Sequence, residues 1–319
     1  MPHPHLWPAL IGAVLGFALL AWAAIWLVRR WPRLKHRWWL VAALALLEAI
    51  YWLNIYAWLV EPNMLVVRRV EIVSERWQGA PITIAVIGDT HVGGPHVDGA
   101  RVERIVRRVN ALRPDLVALV GDYANGHAPA RQRSGAEQQE ILGGIASFAM
   151  LRAPLGAVAV IGNHDVWYGR AEITEALQSA GIAALWNWHV VISHAGRDII
   201  VAGLADDRTD QPDFAAALDG APEGADTIVI SHSPDPFVDM PRRAALMLAG
   251  HGHCGQVSIP FVGRPIVPLH NPRFACGLIA EHGAQLYVSA GIGTSILPVR
   301  FLNPPEIVLI TLRGARARA

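Results

Sequence analysis

The chain has 319 residues, a formal net charge of +1 and a hydrophobic share of 53%. A charge so close to zero gives no electrostatic case for a nucleic-acid partner, and the apolar share is too high for an ordinary soluble protein. There are two cysteines, Cys254 and Cys276. They are too few for a disulfide framework and leave the redox compartment open.

The apolar excess is concentrated in two runs near the N-terminus. Residues 6–28 carry no charge, and residues 38–60 carry one, at Glu48. Each run would span about 34 Å as a helix, which covers the ~30 Å hydrocarbon core of a bilayer. A cleaved signal peptide is the alternative for the first run, but the positive charges follow that run instead of preceding it. The sequence therefore predicts a pair of transmembrane helices within residues 1–62.

Basic residues indicate how this pair is oriented. The connecting loop, residues 29–37, holds five Lys or Arg, whereas three arginines follow the second run, at Arg68, Arg69 and Arg76. The positive-inside rule then places the loop in the cytoplasm and both chain ends outside. We expect a multi-pass protein of the inner (plasma) membrane with its large domain on the extracytoplasmic side. A difference of five against three leaves the cytoplasmic side as the alternative.

From about residue 81, short apolar runs alternate with amphipathic segments. The apolar runs predict strands at residues 82–87, 115–120, 157–161, 199–204, 227–230, 245–248, 285–289 and 306–312. Helical spacing predicts helices over 102–112 and around 173–177, and 124–140 is predicted to be a surface loop. Strand, helix, strand at short spacing favours a layered α/β domain.

Polar residues that can bind metal follow five of the predicted strands. In chain order they are Asp89-Thr-His91, Gly121-Asp122, Gly162-Asn163-His164-Asp165, His232 and Gly250-His251-Gly-His253. In open α/β sheets, ligands bind beyond the carboxyl ends of the strands, so these side chains are expected to converge. Each motif alone is common by chance. Together they supply enough oxygen and imidazole ligands for two divalent metals, and such a site cleaves phosphate esters.

This ordered set, within residues 82–312, resembles the calcineurin-like metallophosphoesterases. The apolar helices, the segment GHGHCGQ and the ending SAGIGTSILPVRFLNPPEIVLITL are similar to the membrane-anchored, YkuE- and YaeI-like branch of that family. The resemblance implies a four-layer αββα sandwich over residues 63–319, preceded by the two-helix transmembrane hairpin.

The resemblance also implies a role for each motif residue. One metal would be held by Asp89, His91 and His253. The other would be held by Asn163, His232 and His251. Asp122 would bridge both metals, and His164 would be the general acid. Carboxylate, amide and imidazole ligands without thiolate suit Mn²⁺, Fe or Zn²⁺.

Three further residues keep alternative roles at this point. Asp165 either orients His164 or caps the following helix. Arg300 either meets a substrate phosphate or forms a surface ion pair. Cys254 occupies a position where relatives usually have Gly, and a thiol there would be able to oxidise or to bind softer ions.

The expected function is a membrane-anchored hydrolase of phosphodiester or pyrophosphate bonds. The anchor favours a lipid-linked phosphate ester as substrate. One alternative is the UDP-2,3-diacylglucosamine pyrophosphatase of lipid A biosynthesis, whose nucleotide-linked substrate would be cytoplasmic. The other is a non-catalytic membrane-tethered binding protein, which the complete ligand set disfavours. The sequence leaves the substrate, the metal and the oligomeric state open.

Overall fold

The computed structural model describes residues 7–31 and 37–315. Its N-terminal part consists of α1 (Trp7–Arg30) and α2 (Arg37–Ile55), and α2 continues through a π turn and a 3-10 turn to Asn63. Two segments, Ile11–Arg30 and Trp38–Asn63, are long and apolar enough to cross a membrane, and only 6% of each is buried. Their apolar side chains thus remain largely free to face lipid. Residues 32–36 of the predicted cytoplasmic loop lie outside the described residues.

The strands that follow form two six-stranded mixed sheets. The first sheet has the order β1 (Val66–Ser74), β12 (Glu306–Gly314), β2 (Ile82–Ile87), β3 (Leu116–Leu119), β4 (Ala157–Val160) and β5 (Ala183–Leu185). The second has the order β10 (Gly277–Glu281), β11 (Ala284–Val288), β9 (Ala244–Ala249), β8 (Asp226–Ile230), β7 (Arg197–Gly203) and β6 (Trp188–His194). Only the pairs β12–β2, β6–β7 and β10–β11 are antiparallel within the described sheets.

Four helices of this domain lie in the connections, and they are α3 (Gly99–Leu112), α4 (Gly135–Ala146), α5 (Asn163–Ser179) and the short α6 (Phe214–Ala217). The helix α3 begins at Asp98, whose side chain accepts a hydrogen bond from the Arg101 N–H, and it ends before Arg113, which adopts a left-handed conformation. The next residue is Pro114, which cannot continue a helix.

Three apolar clusters show how these layers stack. Alternate residues of β2 point to opposite faces of the first sheet. Ile84 and Val86 pack in the cluster between the sheets, whereas Ala85 and Ile87 pack against α3, α4 and α5. A third cluster covers the outer face of the second sheet and includes Ala217 of α6. The layers are therefore helix, sheet, sheet, helix, as the family resemblance implied.

The structure differs from the sequence-based expectation in one predicted loop and in four strands that were not predicted. The predicted surface loop over residues 124–140 is wrong in its second half, because α4 begins there. Ser134 and Glu137 form a reciprocal capping box at its first turn, which satisfies backbone donors that a loop would leave to water. The strands β1, β5, β6 and β10 were not predicted. Strand β1 pairs along its whole length with β12, although its sequence VVRRVEIVS carries three charged residues, all of them exposed.

Candidate metal centre

The loops that follow five strands bring the seven predicted metal ligands to one place. Those strands and their residues are β2 with Asp89 and His91, β3 with Asp122, β4 with Asn163, β8 with His232, and β9 with His251 and His253. None of the seven is more than 7% exposed. A buried cluster of imidazoles and carboxylates is unfavourable unless its members are paired or hold a cation.

The described residues form three groups of possible ligands, each with ligand atoms within 4.8 Å of one another. One group joins His91, Asp122 and His164. The other two are Asp89 with His91 and His253, and Asp122 with His232 and His251. His91 Nε2 lies 3.0 Å from His253 Nε2. His251 Nδ1 lies 3.0 Å from His232 Nε2. Each of the latter two groups thus directs two imidazole nitrogens and a carboxylate at a common point, so both can hold a metal ion.

Asp122 lies between the two groups. Its Oδ2 is 3.2 Å from His232 Nε2 and 3.8 Å from His91 Nε2. Its Oδ1 accepts a hydrogen bond of 2.9 Å from the His164 N–H. One carboxylate oxygen therefore faces both groups while the other fixes the side chain.

Two buried oxygens of the site lack a hydrogen-bond donor in the described part of the chain and are free to bind a cation. Asp89 Oδ2 and Asn163 Oδ1 have no hydrogen-bond partner among the described residues. Leaving a buried polar atom unpaired costs about 1–3 kcal/mol, and more for a charged group. The other oxygen of the same carboxylate, Asp89 Oδ1, accepts a hydrogen bond of 2.9 Å from the His251 N–H. The donor set of the site therefore fits bound metal ions.

Backbone carbonyls orient three of the histidine rings. The Nδ1 atoms of these rings face carbonyl oxygens, in the pairs His91–Ala124 at 3.3 Å, His232–Val120 at 2.8 Å and His164–Gly126 at 2.9 Å. A carbonyl accepts only from a protonated nitrogen, so Nε2 carries the lone pair in a neutral ring. This assignment places the ligand-capable nitrogen of each ring toward the centre.

The backbone of the site is strained. Five of the seven residues have φ between +46° and +64°, and they are Asp89, His91, Asp122, His251 and His253. Such conformations persist only where surrounding structure enforces them. Two close glycines contribute to this. A Cβ on Gly162 would lie 2.3 Å from Asp122 Oδ1, and one on Gly250 would lie 2.5 Å from Asp89 Oδ2. Only glycine allows these backbones to approach the carboxylates.

Burial sets most of the protonation states. It lowers the pKa of His91 to about 3 and that of His251 to about 3, so both rings are neutral near pH 7. Burial, with repulsion from Asp122, raises the pKa of Asp89 to about 7. The pair Asp122 and His232 behaves differently: burial opposes charge on both, but their mutual attraction lowers the pKa of Asp122 and raises that of His232.

His164 lies at the edge of the centre and lines a cavity with Asp122, Asn163 and His251. Its Nε2 is 3.4 Å from Ser295 Oγ. Burial lowers the pKa of His164. The ring is therefore held by Gly126 on one side and open toward the cavity on the other.

Three cavity residues were missed by sequence reasoning. The rings of His127 and Trp167 both lie 4.9 Å from that of His164. Arg208 Nε donates to His251 Nε2 at 2.7 Å. Arg208 follows the predicted strand 199–204, a position that would have singled it out. His127 lies in the predicted loop, where no pattern indicated it.

The structure decides between the two roles considered for Asp165. Its carboxylate accepts four backbone N–H groups, those of Gly162, Asp122, Tyr123 and Ala124. The ring nitrogens of His164 bond to Gly126 and Ser295 instead. Asp165 therefore caps α5 and ties the Asp122 loop to it.

The surface ion pair considered for Arg300 is wrong, because its side chain is 0% exposed. It donates to the carbonyls of Gly293, Asn303 and Ala290, and its Nη2 lies 3.5 Å from His253 Nδ1. Arg300 thus supports the loop behind one group of ligands.

Cys254 is not a free thiol. It is bonded to Cys276 across a Cα–Cα distance of 4.7 Å, so the expectation that it would bind soft ions is wrong. Its φ is +51°, in the left-handed region that favours glycine. The disulfide fixes the loop directly after His253.

The comparisons with known proteins agree with this geometry. Residues 82–290 match the calcineurin-like phosphoesterase family. The uncharacterized metallophosphoesterase YkuE of Bacillus subtilis is 29% identical over 67% of this chain and 73% of its own length. A transmembrane protein with metallophosphoesterase domain from Danio rerio is 31% identical over 73% of this chain and 54% of its own. Phosphodiesterase YaeI of Escherichia coli is 28% identical over 73% of this chain and 83% of its own length. The chain spans about half the length of the Danio rerio protein.

Fold, site and comparisons together define a metal-dependent hydrolase of phosphoric esters. The chain belongs to the calcineurin-like phosphoesterase family. The prediction of a metallophosphoesterase is confirmed. The complete set of predicted ligands does not favour the alternative of a non-catalytic binding protein.

Proposed function

We propose that the protein is a membrane-anchored phosphodiesterase with two divalent metal ions, Mn²⁺, Fe or Zn²⁺, at its active centre. Asp122 carries the proposal, because its Oδ2 faces both groups of ligand atoms at 3.2 and 3.8 Å. Residues 1–62 would be the anchor and residues 63–319 the catalytic domain. The phosphodiesterase named among the relatives supports the bond type.

In this proposal six of the seven residues would each hold one metal, and the seventh would contact both. Asp89, His91 and His253 would hold one metal. His232, His251 and Asn163 would hold the other, and Asp122 would contact both. Two such ions supply an acidified water and charge stabilisation for the phosphoryl oxygens. The strained, buried loops contribute by fixing the ligands before substrate arrives.

His164 would donate a proton to the leaving oxygen. Its Nδ1–H is held by the Gly126 carbonyl, so the proton that it gains and gives is on Nε2, which faces the cavity. Burial lowers its pKa, so the ring is largely neutral near pH 7, and its protonated fraction would be the form that donates. Arg208 lines the same cavity. Its guanidinium suits a phosphate oxygen, since its planar donors match phosphate geometry.

Two observations support an extracytoplasmic catalytic domain. The basic loop over residues 29–37 favours it. The Cys254–Cys276 disulfide favours it as well, because disulfides persist in oxidising compartments and are rare in the cytosol. Both disfavour the cytoplasmic lipid A pyrophosphatase. The transmembrane relative supports the anchor.

The activity test uses the full chain in nanodiscs. With Mn²⁺ it should hydrolyse bis-p-nitrophenyl phosphate, EDTA should abolish the reaction, and added Mn²⁺ should restore it. Val238, 54% exposed and outside the lining of the cavity at the centre, provides a matched control as Val238→Ala. Metal-loaded protein that is inert toward diesters, monoesters and pyrophosphates alike would contradict the proposal.

The location is tested separately, by alkaline phosphatase fused after Ala319 in a Gram-negative host. The fusion should be active, because alkaline phosphatase matures only outside the cytoplasm. Activity of a cytoplasmic reporter at the same position would reverse the orientation and return the pyrophosphatase to consideration.

A further inference from the structure

An apolar rim surrounds the mouth of the cavity. We use this name for residues 256–267 and 295–302. Ile266, Ile296 and Leu297 line the cavity and are nevertheless 69%, 84% and 51% exposed. Phe261 and Val262 are 110% and 72% exposed. Contiguous exposed apolar surface of this kind marks a lipid or protein contact.

Charge is nearly absent from the rim. Its two charged residues are Arg264 and Arg300. Arg300 is fully buried, and Arg264 Nε donates to the Cys254 carbonyl at 2.9 Å. The tip of the first segment is also ordered by its own backbone, since the Ile259 N–H donates to the Gly263 carbonyl at 2.8 Å. The rim therefore presents large apolar side chains on a structured loop.

The rim is joined directly to the second candidate membrane span, Trp38–Asn63. Val257 forms a β-bridge with Phe301, and the Phe301 ring lies 6.3 Å from that of Tyr56 in an edge-on contact. The Arg300 N–H donates to the Ala57 carbonyl at 2.9 Å. Tyr56 and Ala57 belong to the span, so these contacts hold the rim beside the point where the span leaves the bilayer.

We propose that the apolar rim inserts into the bilayer that holds α2, and that the cavity accepts the phosphodiester of an amphiphilic lipid. The phosphate would reach the metal centre while the apolar part of the lipid lies against Ile266, Ile296 and Leu297. Continuity with the span favours the bilayer over a second copy of the chain as the partner of this surface. The substrate class rests on the proposed phosphodiesterase function, whereas insertion of the rim does not.

Insertion is measured on the full chain in liposomes. Both cysteines of the sequence are in the disulfide, so Phe261→Cys introduces a single reactive thiol for an NBD fluorophore. Val238→Cys is the matched control. Val238 lines a separate cavity with Arg76. Arg76 lies just after Ser74, the end of the nine-residue strand β1 that is farther along the chain from the anchor. Nitroxide-labelled phosphatidylcholine should quench the probe at 261 and leave the probe at 238 bright.

Equal quenching at the two positions would overturn the proposal. So would a probe at 261 that is shielded from water but not quenched by the nitroxide lipid, because that result indicates association between copies. Neither reading requires hydrolysis, so the insertion measurement stands apart from failure of the phosphodiesterase function.

The substrate class is measured with two diesters that release the same leaving group, phosphatidyl-p-nitrophenol in liposomes and bis-p-nitrophenyl phosphate in solution. The double variant Ile266→Asp with Leu297→Asp should lower the ratio of the two kcat/KM values, lipid over soluble, by at least about tenfold, since two of the apolar side chains that line the cavity no longer contact the lipid. Val238→Asp should leave the ratio within about twofold. An unchanged ratio in the double variant would overturn the lipid assignment. Should that variant fail to fold, Ile296→Asp provides the same comparison.

Discussion

The metal centre and the apolar rim border one cavity but differ in every physical respect. The seven side chains of the centre are at most 7% exposed, whereas Phe261, Ile266 and Ile296 of the rim are at least 69% exposed. Imidazoles and carboxylates form the centre, and glycine and strained backbone fix their positions. Aliphatic and aromatic side chains form the rim, beside the second candidate membrane span.

This difference assigns separate tasks to the two regions. In our proposals the centre would contact the scissile phosphate, which every substrate shares, so changes there should affect all phosphodiesters alike. The rim would contact what lies around the phosphate, so changes there should affect lipid substrates selectively. The predictions below concern the centre, and each should leave the ratio of lipid to soluble substrate unchanged.

The largest effect is expected for Asp122→Ala. Its carboxylate faces both groups of ligands, so its loss should release both metals and lower kcat/KM for both diesters beyond the ~10⁴-fold upper scale of a lost general acid. Metal content by mass spectrometry checks this. Two metals retained per chain would show that Asp122 does not bridge.

His164→Ala should lower kcat by ~10²–10⁴, the usual scale for general acid catalysis, while metal content stays at the wild-type level. The ring lies beside the ligand groups but is anchored on Gly126, so its loss should leave the metals in place. With a better leaving group, such as 2,4-dinitrophenol, the loss of kcat in this variant should be smaller, because that group needs less protonation. Loss of metal from this variant would make His164 a ligand instead.

Arg208→Ala should raise KM for both diesters by about ten- to a hundredfold, since a charge-assisted hydrogen bond contributes ~1.5–3 kcal/mol. Arg208→Lys should recover part of the loss, because it keeps the charge without the planar donors. Steady-state kinetics separate KM from kcat here. A fall in kcat with unchanged KM would indicate that Arg208 acts by positioning His251, with which it shares a 2.7 Å hydrogen bond.

The smallest effect is the pH dependence of metal binding. Burial raises the pKa of Asp89 to about 7 in the metal-free protein, and a carboxylate must lose its proton to bind metal. Below pH 7 a proton therefore competes with Mn²⁺ for the Asp89 carboxylate. For each pH unit, the apparent affinity for Mn²⁺ should change about tenfold more below pH 7 than above it, which corresponds to one additional proton. Titrations between pH 6 and 8 measure the slope. A curve with no break near pH 7 would contradict the role of Asp89, and Asp89→Asn should remove the break.

The sequence by itself determined eight of the twelve described strands and the order of the site. Runs such as residues 82–87 and 157–161 are apolar and β-branched, a local property that persists in the fold as β2 and β4. The residues after those runs follow from turn chemistry, which is equally local. Parallel strands end at a common edge, so the convergence of Asp89, Asp122 and Asn163 could be predicted without coordinates. The capping box of α4 at Ser134 and Glu137 was also a local pattern, and it was overlooked.

Only the tertiary structure decided the rest, because the contacts involved join distant parts of the chain and leave no periodic pattern. The strand β1 exists through its pairing with β12, where Val66 lies opposite Glu306. The Cys254–Cys276 bond depends on a Cα–Cα distance of 4.7 Å that spacing along the chain does not specify. The rim is the clearest case: PFV and SIL are short stretches like many others in this sequence. Only the fold leaves their large apolar side chains exposed, places SIL in the lining of the cavity and brings the rim beside the second candidate membrane span.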